Sequence, residues 1–539
     1  LDRFLLISYF YKMKKYILFY FALVVNLQFI QAQPAIQWQK CLGGSLAEDA
    51  ACIQQTNDGG YIVAASTFSV DGDVTFNNGY RDVWIVKVDS IGTILWEKCL
   101  GGSDDEWSIT IRQMTDGSYL FAGSTASTNG DIFSNHGSTD YWVVKLDSSG
   151  FIQWERTYGG SEMDLLFSME LTNDGGCILV GASASSDGDL SGNQGFDDCW
   201  IVKLDSTGSI QWENSIGGSL FDVGHSAQQT SDGGYIIAAS SESNDGDVSG
   251  NHGSIDVWII KLDSIGALQW QKSFGGSNSD YSREIQITAN SEFIVTGTSS
   301  SNDGDVSGNH GGPDFWIIKL STLGVIQWQN SLGGSLEDQP LSLLQTADGG
   351  YALAGISKSN NGQVSGNHGD VDYWIVKVDA NGSFQWQKCL GGSDYDGARS
   401  IQSTSDGGYI IVGASSSIDG DVTGNHGSRD CWLVKLSSTT MLNDIAQNKS
   451  DISISPNPFS GNTQVTFELT STENVRIFVQ DSKGSLIKNF NNTNLTIGEN
   501  VLEWNGANND GNIVSDGLYF ISIESDLFKQ SRKIILMKD

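Results

Sequence analysis

The residues of this chain best suited to chemistry are the oxygens of a loop that returns at a fixed interval. Its fullest form reads Asp-Gly-Asp-Val-Ser-Gly-Asn-His-Gly-x-x-Asp, as at Asp245–Asp256. Oxygen-bearing side chains fall at positions 1, 3, 5, 7 and 12, with glycine at 6. That is close to the spacing with which a twelve-residue loop wraps calcium, a hard cation that selects oxygen ligands. The copies at Asp187–Asp198, Asp303–Asp314 and Asp419–Asp430 keep the same set. The candidate ligands are therefore Asp187, Asp189, Asn193 and Asp198; Asp245, Asp247, Asn251 and Asp256; Asp303, Asp305, Asn309 and Asp314; and Asp419, Asp421, Asn425 and Asp430. Other copies depart from it: Phe76 replaces the glycine, Asn129 and Phe133 weaken a second loop, and Asn361 and Gln363 a third. Position 8 is histidine or glutamine where an aliphatic is usual, and the last ligand is Asp where Glu is usual. These departures favour the alternative, a glycine-rich turn held by Asx hydrogen bonds. No cofactor other than calcium is implied.

Five histidines, His136, His252, His310, His368 and His426, occupy this loop. Equivalent residues on successive repeats stand too far apart to share one zinc ion, so hydrogen-bonded loop histidines are expected. Singular residues are better ligand candidates. Trp107, Phe221, Tyr281 and Tyr395 lie where one repeat crosses to the next. Aromatic platforms among carboxylates and amides suit stacking against a carbohydrate, although blade-edge packing would use the same residues. The chain contains no Gly-x-Ser-x-Gly elbow, His-Glu-x-x-His helix, phosphate loop or dinucleotide fingerprint. No catalytic residue is assigned.

The elements that position these residues follow from tryptophan. Trp38, Trp96, Trp154, Trp212, Trp270, Trp328 and Trp386 recur every 58 residues, and Trp84, Trp142, Trp200, Trp258, Trp316, Trp374 and Trp432 form a second series at the same period. The register never slips, which suits a closed ring of equal wedges. Each repeat reads as four strands: a polar lead strand, an aliphatic strand after Asp-Gly-Gly, the long loop and a strand such as Val257–Leu262, then a hairpin into the Trp270 strand. The array opens on a fourth strand and ends on a third, so the N-terminal strand completes the last blade. The expected fold is all-β: a seven-bladed β-propeller of four-stranded blades, its ring closed by the N-terminal strand, followed by a small Ig-like β-sandwich. Closure removes the sheet edges that invite association, and a monomer is expected.

Lys87, Lys145, Lys203, Lys261, Lys319, Lys377 and Lys435 recur in the third strand. A buried lysine needs a carboxylate. Two acidic series are present, Asp82 to Asp430 and Glu48 to Asp396, so recurring inter-strand or inter-blade ion pairs are expected. Seven cysteines are an odd number and no disulfide framework. Only the closure blade carries one at both of two facing positions, Cys41 and Cys431, where a disulfide would lock the ring; two buried thiols are the alternative.

The Asp-Gly-Gly strand followed by Lys-Leu-Asp-x-x-Gly-x-x-x-Trp, as at Lys261–Trp270, resembles delta-60 and quinoprotein-type propeller repeats. That resemblance concerns fold and leaves function open. The C-terminal segment is similar to the type A sorting domain of the type IX secretion system of Gram-negative bacteria. The matching pieces are Pro456-Asn457-Pro458-Phe459, Asp481-x-x-Gly484, Gly498-x-Asn500 through Trp504, Gly517-Leu518-Tyr519, and a last strand bounded by Lys533 and Lys538. The resemblance implies passage through the outer membrane, removal of the domain, and release or attachment to the surface lipopolysaccharide, with the secretion machinery as partner.

The expected organisation is an upstream extension over 1–12, a signal peptide over 13–32 with cleavage between Ala32 and Gln33, the propeller over 33–436, a linker over 437–451 and the sorting domain over 452–539. No further apolar run is long enough to span a bilayer. A net charge of −34 disfavours nucleic acid. The resulting expectation is a secreted or surface-displayed propeller, non-enzymatic, binding a glycan or a protein in adhesion. The alternatives are a polysaccharide hydrolase or lyase with carboxylates around the channel, and a purely structural surface component.

Overall fold

The computed structural model describes residues 33–438, and 452–538 apart from 470–474, 482–483, 491–494, 496–497 and 525–528. The signal-peptide and linker assignments, including Ala32, lie outside the described residues save for Gln33, Ser437 and Ser438. The chain forms two compact units.

The first unit is a ring of seven four-stranded antiparallel sheets. One blade comprises Asp222–Gln229, Tyr235–Ser241, Asp256–Leu262 and Leu268–Phe274, inner to outer. Its second and third strands are buried along their whole length, because neighbouring blades cover both faces. This is why their aliphatic residues run without the alternation of a half-exposed strand. The closing blade joins Ile36–Leu42 antiparallel to Asp430–Leu436, beside Tyr409–Ser415 and Asp396–Ser403.

The two tryptophan series serve different contacts. Trp258 is fully buried, and its indole N–H donates to Gln271 Oε1 on the outer strand of its own blade at 2.8 Å. Trp212 reaches the next blade, where its ring meets Tyr235 edge-on at 5.5 Å. It also lies beneath the hairpin glycine Gly266, whose φ is 85° and where a Cβ would come within 2.7 Å of the indole. Glycine is required there both for its backbone angle and for the approach of the ring.

The lysines take a different partner from the one expected. Each reaches the acid of the turn between the first two strands of its own blade: Asp58, Asp116, Asp174, Asp232, Glu292, Asp348 or Asp406, at 2.8 to 3.7 Å. The hydrogen bond from Thr230, against a partial burial cost, and those from Gly234 and Lys261 hold the Asp232 carboxyl down at about 2. The disulfide expectation also needs correction. The register sets Cys41 against Trp432 and Leu42 against Cys431. Adjacent positions on a strand point to opposite faces; Cys41 therefore enters the core on one side of the blade and Cys431 the core on the other. Both are free thiols.

The two acidic series meet each other at the crossovers. Asp256 and Asp280 flank Gly275, where a Cβ would lie 2.5 Å from Asp256 Oδ1 and 2.8 Å from Asp280 Oδ2. Asp280 accepts from Gly276 N at 2.7 Å and from the hydroxyls of Ser299 and Ser301. Asp256 Oδ2 accepts from His252, while its Oδ1 is buried without a hydrogen-bond donor, as are the equivalent oxygens of Asp82, Asp140, Asp198, Asp314, Asp372 and Asp430. Burial pushes the Asp82, Asp164 and Asp198 carboxyls up to about 6.

The second unit stacks a three-stranded sheet (Ser453–Ser455, Thr463–Leu469, Gly498–Trp504) on a four-stranded one (Leu486–Asn489, Arg476–Asp481, Gly517–Glu524, Lys529–Leu536). Val465, Phe467 and Trp504 meet Ile477, Val479, Ile521 and Ile534 in one core. Asn457 fastens the last strand: its Nδ2 donates to Lys533 O at 2.8 Å and its Oδ1 accepts from Ile535 N at 2.9 Å. Tyr519 donates to Ser515 O, and Lys538 Nζ to Val514 O.

Two outcomes are expected. A carboxyl raised from 3.8 to about 6 contributes stability that is complete below pH 4 and lost as pH rises through 6. The lowered turn aspartates act only nearer pH 2. The propeller should therefore melt at a higher temperature at pH 4.5 than at 7.5, by about 5 °C, and Asp198→Asn should flatten part of that slope. A melting temperature that climbs from pH 4.5 to 7.5 would count against this assignment. Asn457→Ala removes two hydrogen bonds to the last strand and should destabilise the second unit by about 1–2 kcal/mol in denaturant titration; an unchanged midpoint would show the clasp to be inert.

Candidate functional site: the central channel and its loop-side rim

Every inner strand carries a β-bulge at the same place, seen as a register shift between its third and fifth residues, for example Gly224/Ser226 and Ser282/Glu284. A bulge leaves one residue outside the ladder and re-aims its side chain. The seven bulged residues are Ala51, Ile109, Phe167, His225, Arg283, Leu341 and Arg399, and all line one cavity of about 820 Å³ at the centre of the ring. This ring has an apolar side and a basic side.

A second ring lies three residues further along the strands and is engaged in structure. Gln54, Gln228 and Gln286 accept from the backbone N–H of Gln113, Ile287 and Gln345 on the next blade, at 2.6 to 3.1 Å. Arg112 donates to Thr110 and to Ile111 O, and pairs with Glu170 at 3.6 Å. Glu284, the one acid where the other copies have Cys, Ser or Thr, accepts from Leu343 N at 2.7 Å and from the Gln286 amide at 3.0 Å. Burial raises its carboxyl above the usual range.

The basic residues of the bulge ring have no such commitments. Neither the Arg283 nor the Arg399 guanidinium forms a hydrogen bond or ion pair among the described residues. His225 Nδ1 is buried without a partner, and its ring lies 5.5 Å from Phe167. Burial and then the charge of Arg283 hold the imidazole down at about 3, so it is neutral at ordinary pH. Burial, with the nearby Arg399, lowers Arg283 to about 10, which leaves it charged.

The loop oxygens are placed differently. Asp245 Oδ1 accepts from Ser219 N at 2.8 Å and Asp247 Oδ2 from Gly217 N at 3.4 Å, so both cap the crossover entering their blade. Asn251 Nδ2 donates to Ser241 O and its Oδ1 accepts from Gly253 N. Asp256 Oδ2 takes His252 N and Nδ1 at 2.9 and 2.7 Å. Asp187, Asp189, Asn193 and Asp198, and Asp303, Asp305, Asn309 and Asp314, bond to backbone N–H or C=O groups in the same way. So do Asp419, Asn425 and Asp430; Asp421 joins them through its backbone N–H to Gly391 O. Among the described residues, no three or more His, Cys, Asp or Glu side chains converge to hold a metal.

Of the four aromatic candidates, the structure brings Trp107 to the cavity wall, beside Arg81 at 5.8 Å. Tyr395 lies under Arg429 at 5.1 Å, and Arg429 donates to Asp49 on the same wall at 3.0 Å. Phe221 stacks on Phe196 at 5.1 Å, and Tyr281 is 44% exposed. Sequence reading missed the bulge residues. Their signal was available as the fourth residue of the inner strand, which changes in nearly every copy while the first remains acidic.

A seven-bladed propeller with an open, partly basic channel and a C-terminal Ig-like module is the class that fold and site define. Residues 453–527 match the FlgD Ig-like domain. A stretch of 174 residues is 28% identical to the regulatory protein FlaEY of Caulobacter vibrioides, covering 30% of this chain and 18% of that one. The Pan2 WD40 domain of Neurospora crassa is 11% identical, with a TM-score of 0.42 over 74% of this chain and 96% of its own. PorZ, a surface component of the type IX secretion system of Porphyromonas gingivalis, is 9% identical, with a TM-score of 0.24 over 94% of this chain and 86% of its own. No described helix is long and apolar enough to cross a membrane.

Because the loop oxygens cap backbone amides, calcium and chelator should leave the melting temperature of the propeller within about 1 °C. A saturable rise of several degrees in scanning calorimetry would establish a calcium site in these loops.

Proposed function

We propose that this chain is a secreted or cell-surface propeller that binds a glycan through its central channel and is exported by the type IX route. The observation that carries the binding role is the contrast between repeated and singular residues. Polar side chains that recur in every blade are engaged with backbone or with one another, although one oxygen of each Asp256-type carboxyl has no donor. His225, Arg283 and Arg399 break the repeat, face the cavity and retain unused hydrogen-bonding capacity. Trp107 adds an aromatic surface to the same cavity, and aromatic faces with a few convergent polar groups suit sugar rings.

A second reading, a polysaccharide hydrolase or lyase, draws on Glu284, a singular half-buried acid in the channel whose carboxyl is pushed up by burial. Both of its oxygens already accept hydrogen bonds, and Glu170 is paired with Arg112. That leaves neither carboxylate poised for proton transfer and favours binding without turnover.

Support for the export reading comes from the second unit. Asn457 joins Lys533 O and Ile535 N across the module, so the two ends of the sorting-domain resemblance form one surface. A secretory leader over 13–32 would deliver the chain to that route, and the adhesive partner would lie outside the cell.

The test is expression in a host competent for type IX secretion. The intact chain should reach the medium or cell surface, and a chain lacking 452–539 should accumulate inside the outer membrane. Equal export of both would overturn the sorting role. A glycan array probed with the intact chain, followed by a reducing-sugar assay on any hit, separates binding from cleavage.

A further inference from the structure

Resting on the glycan-binding reading, we infer that the basic arc of the bulge ring is a carboxylate site and that the ligand is an acidic, uronate-bearing oligosaccharide. The chain as a whole is strongly acidic, with a net charge of −34. Two guanidinium groups run against that trend: Arg283 is half-buried and Arg399 is open to the channel, and neither has a partner among the described residues, so both are free to meet an anion. Arginine holds a carboxylate through two parallel N–H groups, and neutral His225 adds a third uncommitted group beside Arg283.

The other side of the same ring is apolar, formed by Ala51, Ile109 and Phe167, while Leu341 stands between the two arginines. A sugar acid has the matching character: a carboxylate on one edge and C–H groups on its face. Trp107 stands two residues nearer the loop side than the bulge ring, roughly 7 Å at the rise of a strand. A sugar chain entering from the loop side would therefore meet Trp107 before its carboxylate reached the arc on the other blades. The cavity of about 820 Å³ has room for such a fragment.

The experiment is calorimetric titration of the full chain with trigalacturonate, a neutral galactotriose and sodium acetate. Trigalacturonate should bind, more weakly as salt is raised, and the neutral trisaccharide should not. Arg283→Gln and Arg399→Gln should each weaken it roughly tenfold, the loss of one charge-assisted contact. Melting curves of both variants report whether they fold, and His225→Asn provides a third, uncharged change at the same arc. Unchanged affinity in folded Arg283→Gln and Arg399→Gln proteins would overturn the site. Acetate binding as tightly as trigalacturonate, or an acidic peptide binding in its place, would overturn the sugar assignment. If trigalacturonate fails while a neutral glycan binds and is lost in Trp107→Ala, the carboxylate inference falls and the glycan reading survives; if no glycan binds, both fall.

Discussion

The ring depends on how each crossover is seated. Seven equal wedges close only if every chain passage from one blade to the next arrives at the same height and angle, since an error of one residue would accumulate around the circle. Carboxylates enforce this. The Gly275-Gly276-Ser277 crossover is held by Asp280, Asp303 and Asp305, which accept from its backbone N–H groups. Asp256 crowds the same glycine from the preceding blade. The backbone donors of a turn that cannot join any sheet are thereby satisfied, as buried amides must be. The arrangement concentrates negative charge in a half-buried belt, and the cost appears as raised carboxyl pKa values around the ring.

Once repeated polar residues are committed to seating the crossovers, capping the loops and neutralising the lysines, symmetry itself indicates where function can reside. A residue identical in seven blades serves all seven in the same way. Ligand recognition needs a surface that differs from blade to blade. The bulge supplies it without disturbing the scaffold, because a bulged residue carries no ladder pairing with a neighbouring strand. Alanine, phenylalanine, histidine and arginine can occupy the same position in different blades of one protein for that reason.

What could be read from the sequence follows the same division. The period, the four strands, the strand that closes the ring and the Ig-like module were legible because they rest on hydrophobic pattern and turn residues, which are local and repeated seven times. The asparagine of Pro456-Asn457-Pro458 stood out as a motif, though its hold on Ile535 required the fold. Lysine partners were misjudged because a strand lysine can reach either end of its blade, and the turn acid is nearer than the crossover acids. Cys41 and Cys431 face one another within a residue along the two paired closing strands, but that single residue puts them on opposite faces of the blade. The channel residues share no motif; what unites them is a bulge, and their trace in the sequence is an inner-strand position that varies from copy to copy.

The basic arc also bears on how an anionic ligand would arrive. Outside the ring the field is that of an acidic protein, which slows an approaching anion at low ionic strength; the Debye length of about 8 Å at physiological salt limits that repulsion to the immediate surface. Inside the channel the local balance differs, because Arg283 and Arg399 face a cavity whose three acids, Asp49, Glu170 and Glu284, are already hydrogen-bonded or paired. Long-range repulsion with short-range attraction selects ligands long enough to begin contact through an uncharged part. On the proposed reading, Trp107 at the entrance would offer that first contact, and the charge would be met only after the sugar had entered. On the proposed reading, preference for chains over isolated ions would follow from this order of encounter, set by blade-specific residues on a scaffold that is otherwise the same all the way round.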